Sequence, residues 1–203
     1  PATARRNVYG ASLIEAFFTS TAVVAFAEIG DKTMLLAIIL SARLRKPWQI
    51  LAGIFAATLV NHGFSALLGR EVAGLIDAPW FRTAVALGFI AMAAWTLIPD
   101  KLGDEGKGIK QRSNAFVTTL VSFFIVEMGD KTQIATIALG AQYHSIFAVA
   151  AGTTLGMMLA NTPAVLLGEE LIKRVSLQAT RIAAALLFLV LGLWQLANVA
   201  GLL

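Results

Sequence analysis

The sequence predicts an all-α integral membrane protein: six transmembrane helices forming two inverted three-helix repeats, with helices 1 and 4 kinked or broken at a charged motif. Three observations lead there. The 203 residues are 58% hydrophobic and 14% charged, with a mean hydropathy of +0.76, so the chain lacks the polar surface that a soluble domain presents to water. Its long apolar runs are separated by short basic loops. Its second half repeats the first in a register without gaps, at an offset of 99, as from Glu28 to Glu127.

The chain begins with a polar lead, Pro1 to Tyr9, which holds Arg5 and Arg6 and no recognisable secretory cleavage region. The first apolar run, Leu13 to Ala42, would span about 45 Å as a straight helix, against a hydrocarbon core of about 30 Å. It must tilt, project or break. Gly30 stands in mid-run beside charged residues, which places a kink or unwound turn there. Arg43, Arg45, Lys46 and Pro47 close this segment, and Trp48 to Leu68 supplies a second span without formal charge. Arg70 to Arg82 reads as a loop. Thr83 to Ile98 makes a third span, with Trp95 near its end as an interfacial or packing residue.

Residues 1–99 therefore form one three-helix repeat, 100–112 a hydrophilic linker with Gly103, Gly106 and Gly108, and 113–203 the second repeat. Gly53 falls on Gly152, Arg82 on Arg181 and Trp95 on Trp194. Three is an odd number, so the second unit enters the membrane from the opposite side and the halves are related by an axis in the membrane plane. Loop charges orient the whole. Arg43, Arg45, Lys46, Lys101, Lys107, Lys110, Arg112, Lys173, Arg174 and Arg181 lie on one side, and Arg5, Arg6, Arg70 and Arg82 on the other. The richer side is expected to be cytoplasmic, with both termini periplasmic. The net charge of +4 is thereby spent on topology and does not indicate a nucleic-acid partner.

The motif is Glu28-Ile29-Gly30-Asp31-Lys32-Thr33, repeated as Glu127-Met128-Gly129-Asp130-Lys131-Thr132. A charge at mid-membrane costs about 2.5 to 3.5 kcal/mol, so the six acids and lysines would nominally cost roughly 15 to 20 kcal/mol. Such a cost implies polar centres that handle something charged. If the segments are helical, Glu28 and Asp31 share one face, as do Glu127 and Asp130, and facing halves gather four carboxylates. With no cysteine in the chain, the donors are hard oxygens, suited to Mn²⁺, Ca²⁺ or Mg²⁺ as a transported substrate, and no cofactor is called for. Four carboxylates and two ammoniums sum to minus two, which one divalent cation or two protons would neutralise. Clustered, desolvated carboxylates take up protons when a metal leaves.

Further candidates for ligands or a gate are Thr33, Thr132, Lys32, Lys131, Met34, Gln133, Asn61 and Asn161. The plain structural alternatives stand beside them: the threonines can bond their own helix, and each lysine can pair with the glutamate four residues earlier. Met34 can simply pack, and Asn61 and Asn161 can join helices. Thr58 and Ser65 are secondary polar residues of the second span. His62 is a candidate proton relay or a bonded neighbour, while His144 and Glu15 lie toward span ends.

Two Glu-x-Gly-Asp-Lys-Thr hexads, one per three-helix half, resemble the signature of the calcium/cation antiporter-2 family, which includes Golgi Mn²⁺ and Ca²⁺ transporters and bacterial MneA-type manganese exporters. The resemblance covers nearly the whole chain. It implies secondary transport of Mn²⁺ or Ca²⁺ against protons, with Glu28, Asp31, Glu127 and Asp130 as the cation-binding acids. The brief lead and short linker resemble bacterial members, which implies the inner membrane and export of Mn²⁺ from the cytoplasm. Rival readings are an exporter of a small organic cation or amino acid, an intramembrane lipid-phosphate hydrolase, and a passive cation channel. The hydrolase would need a phosphate-gripping arginine, and the apolar runs supply none within a span.

Overall fold

The computed structural model describes residues 2–75, 79–98, 114–168, 170 and 176–202, with the backbone alone described at 2–12, 74, 75 and 79. All regular structure among them is helical: α1 (Ala2–Glu28), α2 (Lys32–Leu44), α3 (Pro47–Leu75), α4 (Pro79–Thr96), α5 (Ala115–Glu127), α6 (Lys131–Tyr143), α7 (Ile146–Leu167) and α8 (Leu177–Val199). Helices α3, α7 and α8 are long and apolar enough to cross a membrane, over Pro47–Ala73, Ile146–Leu167 and Leu177–Val199, and Trp80–Thr96 and Ala115–Glu127 are shorter apolar helices. The linker at 100–112 lies outside the described residues.

Local chemistry sets the ends. Asn114, Ser145 and Ser176 each cap a helix by accepting from the backbone N–H three residues on. Arg45 and His144, equivalent in the repeat, both turn the chain with left-handed backbones, φ 50° and 53°. Two expected boundaries move. Arg70 and Glu71 belong to α3 and bridge one another, so that helix runs past Leu68. Pro79 starts α4, its fixed φ suiting a first turn, so Arg82 is helical as well. Reading apolar runs ends a helix at its first charge, whereas long basic stems let a helix continue to the membrane surface.

Contacts between the halves exchange in pairs. Helix α1 packs on α7, and α5 packs on α3. Gly152 lies against Phe17 and Ser20 of α1, and Gly53 against Phe116 and Thr119 of α5; each residue of the first set is the repeat equivalent of one in the second. A Cβ on either glycine would fall 2.4 to 2.8 Å from a carbonyl oxygen, so glycine permits this close approach. Likewise the Ser41 hydroxyl donates to the Val165 carbonyl at 2.6 Å, while their equivalents, Gly140 and Ala66, touch backbone to backbone. In α4 and α8, Phe89 stacks on its own equivalent, Phe188, with centroids 6.4 Å apart.

Candidate functional site

Both motifs interrupt a helix. Helix α1 stops at Glu28 and α5 at Glu127; Gly30 (φ 86°) and Gly129 (φ 78°) then take conformations that disfavour any residue with a Cβ. Asp31 and Asp130 follow with extended backbones at the N-caps of α2 and α6, where the positive end of the helix dipole favours an acid. Each aspartate N–H still donates to the motif glutamate carbonyl, at 3.0 and 3.1 Å. The freed glycine amides find equivalent acceptors: Gly30 N–H donates to Met34 Sδ at 3.5 Å, and Gly129 N–H to Gln133 Oε1 at 2.6 Å. Met34 and Gln133 thus close the breaks.

These breaks change the expected geometry. The acids of each motif do not share a continuous helical face, because Asp31 and Asp130 stand beyond the end of the helix that carries the glutamate. They are nevertheless buried: Glu28 is 0% exposed, Glu127 1%, Asp31 4% and Asp130 5%. Glu28 lies within electrostatic reach of Asp31, Asp130 and Glu127, and Glu127 within reach of Asp130 and Lys32. Lys32 does not pair with its own Glu28; its Nζ meets Asp130 Oδ1 of the other half at 3.1 Å. Thr132 donates to Asp130 Oδ2 at 3.3 Å rather than to its own helix.

Polar residues of α3 and α7 attend the glutamates. Thr58 donates to Glu127 Oε1 at 3.4 Å and Asn61 to Oε2 at 3.2 Å. Asn161 neighbours Glu28 and donates to the Met157 carbonyl at 3.1 Å. Among the described residues, both Glu28 oxygens, Thr33 Oγ1, Ser65 Oγ and the His62 ring nitrogens are buried without a hydrogen-bond partner. No three carboxylate or imidazole groups among the described residues stand close enough to form a ready-made metal cage. His144 and Glu15 are exposed.

Lys131 behaves differently from Lys32. It is 7% exposed, donates to the Ile98 carbonyl at 3.4 Å and lies 5.9 Å from the centre of the Trp95 ring, a cation–π distance. Trp95 therefore touches the motif. The first break is braced by α8, where Leu177 contacts Gly30 and Thr180 donates to the Ile29 carbonyl at 3.4 Å. A pocket of about 10 Å³ opens beside it, lined by Gly30, Asp31, Thr96, Ile98, Lys131 and Arg181. Arg181 departs from the expected set of loop charges: it sits in the first turns of a candidate span, beside the motif. Its repeat partner Arg82 was the one available signal.

Interrupted helices that bury facing acids in an apolar chain define a membrane protein built to handle ions. Comparison with known proteins makes this specific. The family described as "Divalent cation/proton antiporter GDT1" matches residues 16–104 and 115–201, and the chain belongs to that family, whose members are transporters rather than enzymes. It is 47% identical over 175 residues to a Vibrio cholerae protein named "Putative manganese exporter", covering 86% of each. It is 30% identical over 205 residues to GDT1-like protein 4 of Oryza sativa subsp. indica, covering 89% of this chain and 72% of the relative. GDT1-like protein 5 of Arabidopsis thaliana is 28% identical over 222 residues, covering 91% and 96%. No solved structure matches the chain.

Proposed function

We propose that this protein exchanges Mn²⁺, with Ca²⁺ as a second substrate, for protons, and exports Mn²⁺ from the cytoplasm across a bacterial inner membrane. The observation that carries the reading is the cross-half site: four buried acids at two helix breaks, with Lys32 of one half on Asp130 of the other. Pairwise exchange of contacts, with Phe89 on Phe188, supports six spans in two inverted repeats with the acids near their common axis. Both termini are then periplasmic by the loop charges.

In this mechanism Glu28, Asp31, Glu127 and Asp130 bind the cation, with Thr33, Thr132, Asn61 and Asn161 as neutral oxygen donors. Asp130 joins the ligand set when Lys32 swings away, and protons replace the metal on the carboxylates when it leaves. The name of the Vibrio cholerae relative supports Mn²⁺, as do hard oxygen donors. A pocket of about 10 Å³ beside Asp31 has room for about one water, which favours an ion over an amino acid.

The test is Mn²⁺ movement in proteoliposomes under an imposed pH gradient. Glu28→Gln and Asp130→Asn should each reduce it at least tenfold. Full transport by either variant, or transport indifferent to the gradient, would refute the mechanism.

A further inference from the structure

Helices α4 and α8 pack along one another about the stacked Phe89 and Phe188, and each end of the pair holds a cavity lined by one arginine. At one end Arg181 shares the small pocket with Asp31, Thr96 and Lys131. At the other, Arg82 lines a cavity of about 490 Å³ with Gln142, His144, Gln195 and Asn198. Arg82 and Arg181 are repeat equivalents, as are Thr96 and Gln195, so the two cavities share this pair of equivalent lining positions at opposite ends of the helix pair. They differ in depth. The small pocket reaches the motif at Gly30 and Asp31, whereas Gln142 donates to Gln195 at 2.7 Å in the larger cavity, and Asp130 is not among the residues lining it.

Neither arginine has a carboxylate partner among the described residues. A guanidinium keeps its charge at any working pH and rides on a long flexible stem. A permanent cation in the approach to a cation site repels the substrate until it moves, and near Asp31 it can stand in for the substrate's charge.

We propose that Arg82 and Arg181 are paired charge gates, each controlling entry of divalent cations to the buried acids from its own face of the membrane. The idea rests on the transport reading above and adds to it two positioning residues outside the motif. Alternation then has a concrete form: one arginine is drawn inward over the acids while the other stands clear.

The native chain has no cysteine, so a probe can be placed in each cavity. Ile98, 61% exposed, lines the pocket of Arg181, and exposed Asn198 lines that of Arg82. In the full reconstituted chain, Ile98→Cys or Asn198→Cys is reacted with cationic and neutral thiol reagents of equal size. Arg181→Gln should raise the ratio of cationic to neutral rate at least threefold at position 98 and leave position 198 unchanged. Arg82→Gln should do the reverse, and Arg→Lys at either site should preserve the native ratio. In vesicles, each glutamine variant should lower the half-saturating Mn²⁺ concentration on one face, and the two variants on opposite faces. Unmoved ratios, or both arginines acting on one position, overturn the gates. A native chain that moves no Mn²⁺ sinks the transport reading instead, and the reagent ratios still decide whether the arginines control entry.

Discussion

Glu28 and Glu127 hold equivalent positions and unequal company. Glu127 accepts from Thr58 and Asn61, while the Glu28 oxygens have no hydrogen-bond partner among the described residues. A buried acid without donors destabilises its surroundings, so Glu28→Gln is expected to hold or raise the thermal midpoint of the purified protein while transport is lost. Asn61→Leu strips Glu127 of a donor and should cost about 1 to 3 kcal/mol, read from thermal unfolding in detergent. Lys32→Met should destabilise by roughly 1 to 3 kcal/mol, the partial exposure of Lys32 moderating the loss of a buried pair. Adding Asp130→Asn should restore part of it. The acids themselves were legible because charge inside an apolar run is costly enough to require a reason. The partner of Lys32 was not, because spacing reports neighbours along one helix and this lysine reaches across to another.

The helix breaks depend on two glycines in different surroundings. A Cβ on Gly30 would lie 2.9 Å from Leu177 Cδ2, whereas Gly129 meets nothing within 4 Å. Gly129→Ala should therefore cost about 1 to 2 kcal/mol from backbone strain alone, and Gly30→Ala more, with Leu177→Ala recovering the difference. Thermal midpoints of Gly129→Ala, Gly30→Ala, Leu177→Ala and the Gly30→Ala/Leu177→Ala double variant separate the two contributions. Gln133→Leu should destabilise by about 0.5 to 1.5 kcal/mol, the net worth of one ordinary hydrogen bond, since the Gly129 amide it leaves is exposed, and Met34→Leu by less, since a thioether is a weak acceptor. A break at Gly30 was legible from glycine and charge in a run too long for the bilayer. That Met34 and Gln133 close the breaks was not, since a side chain that returns to its own backbone has no signature in composition.

Across the molecule, close helix contact rests on a few positions without side chains. A Cβ on Gly69 would fall 2.0 Å from the Ile137 carbonyl oxygen, and one on Gly63 or Gly88 would meet nothing within 4 Å. Gly69→Ala should accordingly lower the thermal midpoint sharply or prevent folding, while Gly63→Ala and Gly88→Ala leave it within a degree or two or raise it. The sequence register displayed the duplication and its equivalent residues directly. Which helices would meet across the halves was hidden, because a repeat fixes correspondence and says nothing of docking. The place of Arg181 beside Asp31 was hidden for a related reason: it arises from packing between α8 and the first break.

Gly152 resting on Phe17 and Gly53 resting on Phe116 carry a consequence for autonomy. Each half lends its first helix to a groove on the third helix of the other, so a solitary half has one groove unfilled and one helix unhoused. Polypeptides covering 1–98 and 114–203, produced apart, should aggregate, and produced together they should reassemble as a functional heterodimer. A single half of this kind would satisfy both needs by meeting a second copy of itself across a two-fold axis, and fusion makes that partnership permanent.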